Sequence, residues 1–183
     1  MADRSTDALL VVDLLNTYEH EDGDQAAAAV RERGETITAA LAAARDGGHH
    51  VFYVNDQFGD WTAERTSLID LVRSRVTDAQ LVEPFLPRDD EPLLLKARHS
   101  VFFQTPLEYA LSQLEVRRVT LIGQVTEQCI LYSALDAYIR HFDVRIVQDA
   151  VAPIDPALGD AALEMMRRNM HAQLIEASQV GDG

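Results

Sequence analysis

Short apolar runs that end in a charged or small residue alternate along this chain with segments of helical period, and that alternation leaves few folds open. Ala8-Leu9-Leu10-Val11-Val12 is a continuous apolar run closed by Asp13. Five such residues without polar alternation predict a strand buried on both faces, as in a parallel sheet. Further strands are predicted at His49–Val54, at Leu93–Leu95 ending on Lys96, at Val119–Ile122, at Val144–Val147 ending near Asp149, and at His171–Ala177. Between them, 25–46 carries Val30, Ile37, Leu41 and Ala44 at helical spacing, with a break at Gly34 and a stop at Gly47-Gly48. Helices are also expected over 67–76, from Thr105-Pro106 onward with Thr105 as N-cap, over 127–141 behind Thr126, and over 156–170. Strand alternating with helix predicts a single domain over 1–183, a three-layer α/β/α sandwich of Rossmann-like kind around a mainly parallel sheet. The short polar chain ends are expected to fray. In such sheets ligands bind beyond the carboxyl ends of the strands, where strand order reverses. Asp13, Lys96 and Cys129 all fall on that predicted edge.

The strand at Val119–Ile122 leads through Gly123-Gln124-Val125-Thr126-Glu127-Gln128 to Cys129, the only cysteine in 183 residues. A cysteine at a helix mouth stands near about half a positive charge, which lowers a thiol pKa from its usual ~8.5. The same residue also suits a small buried hydrophobe. Of 16 Lys plus Arg only Lys96 is lysine, the rest being arginine. It is either a solvated surface lysine or a place that needs a compact ammonium. Asp13 is either a strand-end cap or an acid–base group. Brought together, the three divide labour: the thiolate as nucleophile, the ammonium holding negative charge, the carboxylate moving protons. The turn before Cys129 can supply backbone N–H groups to an oxyanion.

Net charge is −14, which argues against nucleic acid, whose phosphates are met by Lys and Arg. No apolar run approaches the ~18 residues that span a membrane. Met1–Asp7 lacks the charged-then-apolar pattern of a secretory leader, and one cysteine forms no intrachain disulfide. A cytoplasmic location is expected.

Three motifs carry a resemblance: Val11-Val12-Asp13, Leu95-Lys96-Ala97-Arg98-His99-Ser100-Val101-Phe102-Phe103-Gln104-Thr105, and Gly123-Gln124-Val125-Thr126-Glu127-Gln128-Cys129-Ile130. In order and spacing the chain resembles the isochorismatase-like hydrolases, the cysteine hydrolase group that includes nicotinamidases and N-carbamoyl amide hydrolases. The resemblance implies a six-stranded sheet of order 3-2-1-4-5-6 and a triad of Asp13, Lys96 and Cys129. It also implies a non-proline cis peptide at Gln124–Val125 that aims the Val125 and Cys129 amides at an oxyanion. Departures are present too. Leu15 stands where the family has Gln, and Tyr18 where it has Phe. The loop Asp56-Gln57-Phe58-Gly59-Asp60-Trp61 has no histidine, which points away from the nicotinamidase metal site and toward a metal-free branch with no cofactor. Cysteine in place favours amide over vinyl-ether chemistry.

The expected partner is thus a small-molecule amide, with primary amides, N-carbamoyl compounds and cyclic amides all open. A homo-oligomer, dimer or tetramer, is expected from the resemblance. Asn16, Tyr18, Asn55, Phe58, Trp61 and Phe103 are candidates for substrate contact, with turn chemistry or core packing as the alternative for each. His49, His50, His99, His141 and His171 lack ligand spacing and read as structural. A binding or thiol redox-sensing protein on the same scaffold is the competing reading.

Overall fold

The computed structural model describes residues 5–181; the chain ends expected to fray lie mostly outside that range. Six strands form one sheet: β1 (Asp7–Val12), β2 (His50–Asp56), β3 (Leu93–Lys96), β4 (Arg118–Gln124), β5 (Asp143–Ala152) and β6 (Gln173–Ile175). Their order is β3-β2-β1-β4-β5-β6, and every neighbouring pair is parallel. The helices are α1 (Gly23–Glu32), α2 (Gly34–Asp46), α3 (Arg65–Arg75), α4 (Leu107–Gln113), α5 (Leu131–Ile139) and α6 (Pro156–Asn169). No helix among the described residues is long and apolar enough to cross a membrane.

The unbroken apolar run of β1 is explained by what it touches. Side chains alternate across a strand, so Ala8, Leu10 and Val12 enter one core and Leu9 and Val11 the other. The first core is closed by Leu107 and Leu111 of α4, Ala134 and Ala137 of α5, and Ala162 and Met166 of α6. The second is closed by Val30 of α1, Ile37 and Leu41 of α2, and Leu68 and Val72 of α3. Helices thus cover both faces, and the three layers follow.

The expected break in the first long helical segment falls at Arg33, between α1 and α2. Elsewhere the chain departs from the sequence reading. β5 runs on through Asp149 to Ala152 because its register against β4 jumps: Leu121 faces Ile146, but Gly123 faces Val151. The extra residues form an irregularity within the strand, where Val147 still pairs with Ile175 of β6 and Asp149 accepts from the Ala177 amide at 2.9 Å. The final strand is only three residues long. Pro106 caps α4 and lies outside it, while the Thr105 hydroxyl accepts from the Leu107 amide at 3.3 Å. The helix expected from Glu127 begins instead as a π turn, Thr126–Ile130, with Val125 at its N-cap. Thr126 caps nothing, and its buried hydroxyl has no partner.

β1 and β4 meet closely where the site is built. Gly123 has φ +114°, and a Cβ there would lie 2.1 Å from the Val12 carbonyl oxygen. Only glycine tolerates both conditions. Gly123→Ala is therefore expected to lower unfolding free energy by on the order of 3 kcal/mol in urea titration.

Candidate active site

Each of the three candidate residues reaches the carboxyl edge of the sheet on its own strand. Asp13 follows β1 with φ 52°, a left-handed turn that Asp tolerates better than most residues, and its amide donates to the Val54 carbonyl at 3.1 Å. Its Oδ1 accepts from the Asp56 amide at 2.8 Å, and its Oδ2 lies 2.9 Å from Lys96 Nζ. Lys96 ends β3, in register opposite Asp56, and is only 1% exposed. The chain's sole lysine is therefore no surface residue. Its Nζ is 3.7 Å from Cys129 Sγ and 3.8 Å from Asp56 Oδ2. Cys129 sits inside the π turn, buried in the core formed with α4, α5 and α6.

The supporting contacts are polar and mostly buried. Gln124 Nε2 donates to the Asp13 carbonyl at 2.7 Å, and the peptide that follows, Gln124–Val125, is cis. The Ile130 amide closes the π turn on the Val125 carbonyl at 3.1 Å. Glu127 Oε1 accepts from the Ile154 and Asp155 amides, both at 2.9 Å, which ties the turn to the approach to α6.

Electrostatics invert one expectation from the sequence. Burial, and then the Asp13 carboxylate that accepts the thiol hydrogen bond, push the Cys129 thiol well above its ordinary value; Lys96 and the Val125 amide oppose this without prevailing. Placement at a helix mouth does not make a thiolate here, because the sulfur is dehydrated and faces an anion. Burial also raises Asp13, with Lys96 and the thiol pulling it back only in part. For Lys96 burial works against the ammonium, but Asp13 and the sulfur outweigh it and hold the amine above its usual range. The resting site pairs a neutral thiol with a carboxylate of raised basicity, bridged by an ammonium.

The other predicted site residues divide. Asn55 is buried and spent: its Oδ1 accepts from the Leu15 amide at 3.0 Å, and its Nδ2 donates to the Leu15 and Asp56 carbonyls at 2.8 and 3.0 Å. It pins the loop after β1. Asn16 accepts from the Tyr18 amide at 2.8 Å, a local turn. Tyr18 turns inward, its phenol pushed up to about 12 chiefly by burial, and its hydroxyl accepts from Gln124 Nε2 at 3.4 Å. It braces the residue that holds Asp13. Phe58 and Trp61 lie on the loop after β2, Trp61 largely in solvent.

Phe103 lines a groove of about 370 Å³ with Arg98, His99, Ser100, Tyr132 and Asp136. One of these residues touches the site: His99 Nδ1 lies 3.9 Å from Cys129 Sγ, although Cys129 itself does not line the groove. The structural reading of His99 is thereby corrected. Its position three residues after Lys96 was the available signal, but spacing alone says nothing of a sulfur 30 residues away. The loop after β2 does not fit a metal: Asp56 faces Lys96 and accepts from the Phe58 amide, and Asp60 accepts from Thr62. Among the described residues no group of three or more His, Cys, Asp or Glu is placed to hold an ion.

Comparison with known proteins agrees with this layout. The Isochorismatase domain family matches residues 7–179. An uncharacterized isochorismatase family protein, YaaI of Bacillus subtilis, is 29% identical over 174 residues, covering 94% of this chain and 95% of its own. The ureidoacrylate amidohydrolase RutB of Klebsiella pneumoniae is 26% identical over 181 residues, covering 85% and 77%. The crystal structure of the nicotinamidase/pyrazinamidase PncA from Bacillus subtilis superposes with a TM-score of 0.75 at 26% identity, over 93% of this chain and 99% of that one. With a match that runs from the start of β1 past β6, and a parallel sheet whose switch point carries the site, the chain belongs to the isochorismatase family.

Proposed function

We propose that the protein hydrolyses a C–N bond of a small-molecule amide through a thioester on Cys129. The observation that carries this reading is the contact set around Lys96: one buried ammonium 2.9 Å from the Asp13 carboxylate and 3.7 Å from the Cys129 sulfur. Relatives named as ureidoacrylate amidohydrolases support an amide substrate.

The chemistry follows from the charges. Asp13 takes the thiol proton as the sulfur attacks the substrate carbonyl. Its raised pKa makes it a stronger base for that task. The Val125 and Cys129 amides, at the two ends of the turn before the sulfur, meet the oxyanion. Collapse breaks the C–N bond, and the proton held on Asp13 passes to the leaving nitrogen. Water then adds to the thioester, giving one proton to Asp13. The C–S bond breaks, the acid leaves, and the thiol regains its proton. Lys96 stays charged throughout and offsets the negative charge that moves between carboxylate and sulfur.

A redox-sensing thiol is disfavoured by the same surroundings. Such thiols are exposed and of low pKa, whereas Cys129 is buried and its pKa is raised. Asp13→Asn separates the two roles of the carboxylate. Removing it deletes an influence that raises the thiol pKa, so iodoacetamide should alkylate Cys129 in the variant at lower pH than in the parent. Release of ammonia or amine from primary, N-carbamoyl and cyclic amides should fall by ~10³-fold or more in the same variant. A variant that hydrolyses normally, or a parent that releases amine from none of these classes, contradicts the proposal.

A further inference from the structure

The sulfur of Cys129 meets three polar side chains. Asp13 accepts the thiol hydrogen bond, Lys96 Nζ lies 3.7 Å away, and His99 Nδ1 lies 3.9 Å away. The ammonium is divided in its attention. It stands closer to the Asp13 carboxylate, at 2.9 Å, than to the sulfur, and it also faces Asp56 at 3.8 Å. The thiol proton points to Asp13, so His99 Nδ1 faces a sulfur lone pair. A bare ring nitrogen would set lone pair against lone pair there, and Nδ1 is therefore the nitrogen that carries the hydrogen.

The chain fixes this imidazole from both sides. Three residues before it, Lys96 ends β3 in the buried site. Two residues after it, the Val101 amide donates at 3.0 Å to Ser133 Oγ, a fully buried side chain of α5. The Tyr132 ring, at the start of α5, stands 5.5 Å from the imidazole. His99 itself is exposed. An exposed ring gains little from burial, yet its base is tied to the core and its Nδ1 edge is turned to a buried sulfur.

We propose that His99 is a catalytic residue that donates a hydrogen bond from Nδ1 to the sulfur whenever the sulfur carries negative charge. The steps it serves rest on the hydrolase reading of the site. In the first, the thiol gives its proton to Asp13 as the sulfur attacks the carbonyl carbon. In the second, the C–S bond of the thioester breaks and its electron pair returns to the sulfur. The N–H meets the charge at both moments, and no proton leaves the imidazole, because the sulfur regains its hydrogen from Asp13. The contact is long for a neutral thiol and shortens as charge builds, since hydrogen bonds to ionised partners are shorter and stronger.

The donor can be tested without a substrate by comparing His99→Asn with His99→Leu. The two side chains are of equal size, and only asparagine offers an N–H near the place of Nδ1. Iodoacetamide reacts with the thiolate, and Cys129 is the only cysteine, so its alkylation rate at one fixed pH reports how well the charged sulfur is held. The asparagine variant should react roughly tenfold faster than the leucine variant, the size of one hydrogen bond to a charged group. The same ratio should appear with N-ethylmaleimide, a bulkier reagent. Equal rates in the two variants overturn the proposal, since an imidazole that only fills space is missed equally in both. A ratio that grows with reagent size also overturns it, because leucine then acts by blocking access. Failure of the hydrolase reading looks different: no amine is released from any amide while the asparagine-to-leucine ratio stands.

Discussion

Cys129→Ala is expected to abolish amide hydrolysis while leaving the fold intact. The sulfur is lost from a position where alanine fits the same turn, and the cost of one small missing atom in a core is about 1 kcal/mol. Turnover should fall by roughly four to six orders of magnitude, the scale on which loss of a covalent nucleophile is felt. The comparison is sharp because the site holds a second plausible engine. Asp13 and Lys96 together could activate a water directly, and in that case the alanine variant keeps most of its rate. Release of amine, followed for parent and variant at equal concentration, separates covalent from direct attack.

Lys96→Met should damage both stability and activity. The substitution keeps the length of the side chain but leaves the Asp13 carboxylate without its cation in a site where the lysine is 1% exposed. Breaking a buried ion pair from one side costs about 3–5 kcal/mol, read as a drop in the urea midpoint. The pH dependence has a definite sign. Asp13 already sits above its ordinary value, and Lys96 is the main influence holding it down. Without the lysine its pKa rises further, and a protonated Asp13 is no longer a buried unpaired charge. The stability deficit against the parent should therefore shrink as pH falls through that raised value and be largest at neutral and higher pH. Turnover needs the carboxylate, so the acidic limb of any remaining activity should move upward in pH. Lys96→Arg should not restore the parent, because a planar guanidinium does not fill the space of a compact ammonium.

Much of this layout is legible in the sequence, for a physical reason. A strand buried on both faces must be continuously apolar, and the residue that ends it must be polar when it meets solvent or a site. Ala8–Val12 with Asp13, and Leu93–Leu95 with Lys96, show that pattern directly. A sole lysine in an arginine-rich chain is likewise a visible exception, and burial explains it. What was not legible depends on partners far away in the chain. Asn55 and Gln124 look like ordinary polar residues until they meet the Leu15 and Asp13 backbones across the sheet. His99 becomes a site residue only because β3 and β4 flank β2 and β1, which brings its loop to the π turn. The state of the thiol is hidden in the same way: its position favours a thiolate, but its burial and its carboxylate neighbour favour the neutral form. Local sequence reports the helix mouth and says nothing of either.

The central claim is that Cys129 becomes acylated during turnover. The direct measurement is intact-protein and peptide mass spectrometry of the enzyme quenched in acid while it hydrolyses a slow amide substrate. The account predicts a mass increase equal to the acyl group minus one hydrogen, confined to the peptide that carries Cys129 and absent in Cys129→Ala. Steady hydrolysis with no adduct on that peptide, together with undiminished amine release by the alanine variant, would contradict it.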